Sequence, residues 1–281
     1  MPTTSDTLRA DLCPSGPLRA VINLGNPVLV QGTPQEPTGV TVDITREVAA
    51  RLGVDVELLP VTAARDAYAA LVDGRADLGF LAIEPAREEG VRFTTPYVQI
   101  EGVFATRDAS LTVADVDRPG TTIATRRGSA YDLYLTRTIE HATIVRGDEV
   151  EQAYEGGADV LSGVRQPITA YAQEHGLTVL EPAFQAIRQA VAVPRERPER
   201  LVAGLDEIVA AHRETLSRTR PQALVLDESH YCKNPRAKRT HAVRRLAQTL
   251  HNNALRLALT GTPVMNRPDE IVAQLRIIGR L

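Results

Sequence analysis

The sequence predicts an α/β protein built as two similar lobes in series, followed by a shorter α/β segment of different character. Three observations predict it. A strand-helix-strand-helix-strand order fills residues 19–83. A similar order restarts at residue 121. Two apolar extended stretches, 97–107 and 186–193, stand where a chain would cross from one lobe to the other and return.

Residues 19–24 read as a strand. The loop 25–39 holds Pro27, Pro34 and Pro37, which break regular structure. Asp43 is placed to cap a helix over 44–52, where Ile44, Val48 and Leu52 recur at four-residue spacing, and Gly53 ends it. Residues 54–59 alternate as a strand, 63–72 form a helix before Gly74, and 77–83 make a buried strand. In the second half, strands at 121–124, 143–145, 159–161 and 177–180 alternate with helices at 129–138, 148–154 and 166–174. A helix at 198–212 follows the second connector. This order argues for mainly parallel sheets covered by helices. Ligands of open α/β sheets sit at the carboxyl ends of strands, so two facing lobes make a cleft that closes by hinge motion.

Charge divides the chain. Residues 1–216 carry 20 Lys+Arg against 31 Asp+Glu, a net of −11, and residues 217–281 carry 12 against 4, a net of +8. Both lysines, Lys233 and Lys238, fall in the second part. Two segments with different partners or origins are implied, as in a fusion or chimera. No apolar run is long enough for membrane insertion. Cys13 and Cys232 lie far apart and read as unpaired thiols. The N-terminus lacks the basic-then-apolar order of a secretion signal. As written the chain therefore reads as cytoplasmic, or as periplasmic or extracellular if a signal was lost.

Three stretches carry a family resemblance: TGVTVDITREVAARLGVDVELLPV (38–61), LVDGRADLGFLAIEPAREEGVRFTTPYV (71–98) and GSAYDLYLTR (128–137). Together they resemble the bacterial extracellular solute-binding proteins of the polar amino-acid transporter type, over residues 18 to about 214. The resemblance implies a two-lobed periplasmic-binding-protein-like (type II) domain. Residues 18–102 and 186–214 would form lobe 1 and residues 103–185 lobe 2, after an N-terminal extension, 1–17. The implied function is binding of a small anionic or zwitterionic solute, an amino acid or organic acid, for an ABC transporter permease. No enzymatic activity, cofactor or metal is implied.

The resemblance also places the site. Arg87, a short loop after the strand that ends at Ile83, would pair with a ligand carboxylate, because a planar guanidinium offers two parallel hydrogen bonds, and Ile83 and Glu84 would line the same cleft. Gly128 and Ser129 open a helix whose amides attract an anion, and Ser129 also suits N-capping. Asn26 and Pro27 occupy the loop where the family often carries an aromatic lid. Tyr97 is either a cleft tyrosine or a core or hinge one. The family's aspartate for a ligand ammonium is replaced in SGVRQP by Val164 and Arg165. A basic Arg165 near Arg87 would favour a dicarboxylate or keto acid over an α-amino acid. A dehydratase of cyclohexadienyl acids on the same fold is an alternative, with Glu84 as general acid.

The tail carries a second resemblance. A strand at 223–226 precedes Asp227, Glu228, Ser229 and His230. A basic helix at 236–250 and a strand at 256–259 lead to Thr260, Gly261 and Thr262. These motifs resemble the Swi/Snf-type helicase-like ATPases, implying a partial RecA-like segment over 221–281. There Asp227 would hold magnesium, Glu228 would position water, and Thr260 and Thr262 would couple hydrolysis to DNA movement. A phosphate-binding loop needs a lysine, and none precedes Lys233, so the motif reads as vestigial. Its positive charge would give weak, salt-sensitive nucleic-acid contact.

Overall fold

The computed structural model describes residues 4–14, 16–218, 223–226 and 255–258. They fall into two units, 1–210 and 211–281. The first unit begins with helix α1 (Thr4–Leu12), strand β1 (Leu18–Asn23) and the hairpin β2 (Gln31–Gly32) and β3 (Pro37–Thr38). There follow α2 (Val40–Leu52), β4 (Val56–Val61), α3 (Ala64–Val72), β5 (Leu78–Ala82), α4 (Pro85–Glu88) and β6 (Val91–Phe93). The long β7 (Val98–Thr106) leads to β8 (Thr122–Arg126), α5 (Ala130–Thr138), β9 (Thr143–Gly147) and α6 (Val150–Glu155). Next come β10 (Val160–Val164), α7 (Arg165–His175) and β11 (Thr178–Val179). The similarly long β12 (Gln185–Pro194) returns, and α8 (Glu199–Arg218) follows.

The sheet runs β4-β1-β5-β12-β7-β10-β8-β9. Its two ends repeat one motif. In the first lobe β1 is flanked by β4 and β5, both parallel to it. In the second, β8 is flanked by β9 and β10, again parallel. The connectors β7 and β12 pair antiparallel in the middle, from Gln185 opposite Gly102 to Gln189 opposite Val98. Beyond that stretch β12 pairs with β5 and then β6, and β7 pairs with β10 and β11. Each connector therefore belongs to both lobes, which makes this pair the hinge.

Local sequence explains the elements that frame the cleft. Helix α2 buries Ile44, Val48 and Leu52 on one face, and Gly53 closes it with left-handed φ of 62°. It starts earlier than the pattern predicts. Gly39, with φ 110°, is the N-cap and supplies no side chain, and Asp43 lies inside the first turn, where it favours the positive end of the helix dipole. Strand β5, parallel to β1 and antiparallel to β12, is buried at every position, as expected of a central strand covered on both faces.

The N-terminal residues are part of the first lobe. Leu12 and Cys13 are buried with Leu18, Ile22, Leu78 and Leu201 in one core, each large apolar side chain contributing roughly 1.5–3 kcal/mol. Arg200 holds the Asp11 carboxylate through two bonds of 2.7 Å, and Arg197 donates to the Asp11 carbonyl. Gly204 lets α1 pack closely, since a Cβ there would meet Leu8 at 2.2 Å. Polar composition concealed this helix, because only its Leu8–Leu12 edge is apolar.

In the second unit, β13 (Ala223–Leu226) and β14 (Leu255–Ala258) pair parallel, with Ala223 opposite Leu255. Asp227, Glu228, Ser229, His230, Thr260, Gly261, Thr262 and Cys232 lie outside the described residues.

Candidate ligand cleft

A cavity of about 430 Å³ opens between the lobes of the first unit, within the range of small-molecule sites. The β1–α2 loop brings Asn26 and Pro27 to it, the first turn of α2 brings Thr41, and α4 brings Arg87. The second lobe adds Arg126, Ser129 and Tyr131 from the β8–α5 region, Glu149 and Glu151 from the start of α6, and Val164 and Ile168 from the β10–α7 turn. The hinge strand β12 contributes Ile187 and Gln189.

Arg87 is the main charge of this wall. It is 3% exposed. Its Nη1 donates to the Ala82 carbonyl at 3.1 Å and its Nη2 to the Gly128 carbonyl at 3.0 Å. Burial pushes its pKa down to about 10, only partly opposed by the field of Glu84. A buried cation served by neutral carbonyls gains from an anion, since desolvation otherwise disfavours its charge.

The Gly128–Ser129 turn is arranged differently from the expectation of an anion-binding amide pair. Ser129 caps α5, accepting from the Asp132 amide at 3.0 Å. The buried Asp132 carboxylate reaches back to the Gly128 amide at 2.8 Å and also accepts from Arg146. The Ser129 amide is bonded to the Arg126 carbonyl. The Ser129 N-cap, the Asp132 carboxylate and the Arg126 carbonyl thus consume these donors. What Gly128 presents to the first lobe is its carbonyl, which accepts from Arg87.

Arg165 stands outside the cavity. Its Nε donates to Glu101 at 2.5 Å, and its Nη1 and Nη2 grip Glu181 at 2.5 and 2.9 Å. Glu181 first, then Glu101, raise its pKa further above the ordinary arginine value. Two carboxylates distant in sequence account for the difference from the expected place near Arg87. Glu84 is buried behind the cleft wall, where Arg137 and Gln185 donate to it at 2.5 and 2.8 Å. Ile83, also absent from the lining, bonds through its amide to the Arg188 carbonyl of β12. Tyr97 packs edge-on against Phe80, 5.9 Å between centroids, and burial raises its phenol pKa. Phe80, not Tyr97, reaches the cavity.

Sequence reasoning missed Arg126. Its Nη1 donates to Gly25 and its Nη2 to Thr62, both first-lobe carbonyls, at 3.2 and 2.9 Å. Within its own lobe it donates to the Asp148 carbonyl and the Glu149 carboxylate, both at 2.9 Å. Gly25 must lack a side chain here, because a Cβ would lie 1.9 Å from the Thr62 oxygen and 2.7 Å from Arg126 Nη1. Arg65 adds a second link, 3.0 Å to Asp148. The Arg126-Arg127 pair before Gly128 was visible, but not its reach across the cleft.

Two α/β lobes on a shared pair of hinge strands, with a buried arginine in the cleft between them, define a hinged small-molecule binding protein. The chain belongs to the bacterial extracellular solute-binding proteins, family 3, whose family model matches residues 20–250. That match continues past Pro221, where the sequence reading began a separate segment. Two curated relatives are virulence sensor proteins BvgS. That of Bordetella bronchiseptica is 31% identical over 148 residues, 50% of this chain, and that of Bordetella pertussis 32% over 136 residues, 48% of this chain. The chain covers only 12% and 11% of those proteins. Among solved structures, an arginine-bound mutant of ArgBP from T. maritima has a TM-score of 0.59 at 20% identity, covering 74% of this chain and 100% of that one. A putative ABC transporter binding component from Wolinella succinogenes, complexed with lysine, has a TM-score of 0.59 at 21% identity, covering 71% and 91%. The ancestral amino-acid-binding protein AncCDT-1, a precursor of cyclohexadienyl dehydratase, has a TM-score of 0.59 at 21% identity, covering 74% and 94%. These likenesses show the fold.

Proposed function

We propose that the cleft binds a small organic acid, holding its carboxylate on Arg87 and making no dedicated contact to an ammonium group. The observation that carries this reading is Arg87 itself, a buried cation on the cavity wall whose two bonds go to neutral carbonyls. The second part rests on Val164, apolar and on the cavity wall where the family would carry an aspartate. Of the two carboxylates that line the cavity, Glu149 is paired with Arg126 and Glu151 is part-exposed, where water screens its charge. The basic group that shares the cleft with Arg87 is Arg126, so a dicarboxylate draws no support from Arg165.

Delivery to an ABC transporter permease accords with the family and with the lysine-complexed neighbour. A role as the sensing module of a longer protein is favoured by the match to the BvgS proteins. Both require a ligand in the cleft. The dehydratase reading draws no support from Glu84, which is held by Arg137 and Gln185. For the tail, the parallel pairing of β13 and β14 suits the strand-helix-strand crossover of a RecA-like segment, and the ATPase reading otherwise rests on the sequence motifs alone.

A thermal-shift screen of organic acids and amino acids on the full chain and on Arg87→Met tests the proposal. An organic acid should raise the melting temperature of the wild type and leave the variant unmoved. Stabilisation by amino acids alone, or equal stabilisation of the variant, would refute it.

A further inference from the structure

We infer that the cleft holds a second, neutral polar subsite, formed by Asn26 and Thr41, that recognises a hydroxyl on the carbon skeleton of the bound acid. The inference rests on the proposed carboxylate role of Arg87 and narrows the ligand class to hydroxylated carboxylic acids. Among the described residues, the side-chain oxygens of both Asn26 and Thr41 are buried without a hydrogen-bond partner, and both residues line the cavity. Thr41 is 2% exposed. A buried hydroxyl without a partner is destabilising, so a ligand group that satisfies it gains affinity that a ligand lacking the group does not.

The backbone strengthens the site. Thr41 lies in the first turn of α2, a 13-residue helix whose N-cap, Gly39, makes no side-chain capping bond. First-turn amides have no intrahelical acceptor, and the helix dipole makes this end a favourable place for an oxygen. Asn26 offers a carbonyl oxygen and an amide, and Thr41 a rotating hydroxyl. A ligand hydroxyl donates and accepts at once and so matches both. A carboxylate, an acceptor only, would oppose Asn26 Oδ1. An ammonium, a donor only, would face the positive end of α2. Leu29, Val30 and Phe80 share the cavity lining with these groups, apolar surface that suits a hydrocarbon skeleton between the two polar ends.

The test is calorimetric titration of the full chain with matched pairs: 3-hydroxybutyrate and butyrate, 3-hydroxyhexanoate and hexanoate, 4-hydroxyphenylacetate and phenylacetate. In at least one pair the hydroxylated acid should bind about tenfold or more tightly than its partner, because a site built to hydrogen-bond a hydroxyl is left unpaired by the analogue lacking it. Thr41→Val and Asn26→Leu should each reduce that ratio to below about threefold while the unsubstituted acid still binds. Thr41→Val should also raise the melting temperature of the ligand-free protein by about 2 °C, since it removes an unsatisfied buried group without changing shape. Equal binding within every pair, or discrimination that survives both substitutions, overturns the subsite but leaves Arg87 in place. A fall of several degrees in Thr41→Val makes the hydroxyl structural and also overturns it. Failure of every acid to bind overturns the carboxylate reading and the subsite together.

Discussion

Replacing Arg87 by methionine should make the ligand-free protein more stable and the ligand-bound protein weaker. The structure sets the magnitudes. Holding the guanidinium charged where burial pushes its pKa down to about 10 costs roughly 3 kcal/mol at neutral pH. The sign follows from the direction: a cation with a depressed folded pKa destabilises the fold below that pKa, and the cost fades as pH rises through it. Against this, the substitution leaves the Ala82 and Gly128 carbonyls without their donor, at about 1 kcal/mol each. The net gain is about 1 kcal/mol, a rise of roughly 2–4 °C in a domain of this size. Affinity moves the other way. Two hydrogen bonds from a charged donor, at about 1.5–3 kcal/mol each, correspond to a loss of roughly 10²–10⁴-fold. Differential scanning calorimetry without ligand and isothermal titration with an acid read the two effects separately. A variant that melts several degrees lower, or keeps its affinity, would refute the reasoning.

Other perturbations separate closure, affinity and stability. Arg126→Ala removes two bonds across the cleft, to Gly25 and Thr62, and should shift the lobes toward an open arrangement, seen as a larger radius of gyration in small-angle scattering; an unchanged radius would deny it the role of latch. Arg165→Ala should leave the dissociation constant within about threefold, because that side chain serves Glu101 and Glu181 at part-exposed positions where ion pairs contribute little. Acidification should destabilise the protein. Side-chain and backbone donors of Thr122 hold the Asp159 carboxyl below its ordinary pKa, and the amides of Glu140, Ala142 and His141 do the same for Asp117. Carboxylates with depressed folded pKa values stabilise above the ordinary range, and that stability is lost as pH falls through the folded values. Asp159→Asn should flatten the fall in melting temperature, and an unchanged slope would assign it to other groups.

The fold was legible where pattern and layer coincide. Ile44, Val48 and Leu52 announce α2, and the apolar runs of β7 and β12 announce strands shared by both lobes. The pattern concealed what depends on partners far along the chain. Asp11 gives no sign that Arg200 holds it, so α1 read as part of an N-terminal extension. Arg165 sits beside the cleft sequence, but Glu101 and Glu181 take it away from the cavity. Gly128 and Ser129 read as an anion site because the reach of Asp132 back to the Gly128 amide is a matter of rotamer. Arg87 and Asn26 were placed by the family resemblance, and both line the cavity, whereas Thr41, Arg126 and Tyr131 reach it only through helix orientation and lobe closure.

The central claim is that the cleft selects a carboxylate without an ammonium. Calorimetric titration of the full chain with leucine, 2-hydroxy-4-methylpentanoate and 4-methylpentanoate, which share one skeleton, tests it most directly. An ammonium facing Val164 would lose its hydration without a partner. The account predicts that leucine binds most weakly of the three. Tightest binding of leucine would contradict it.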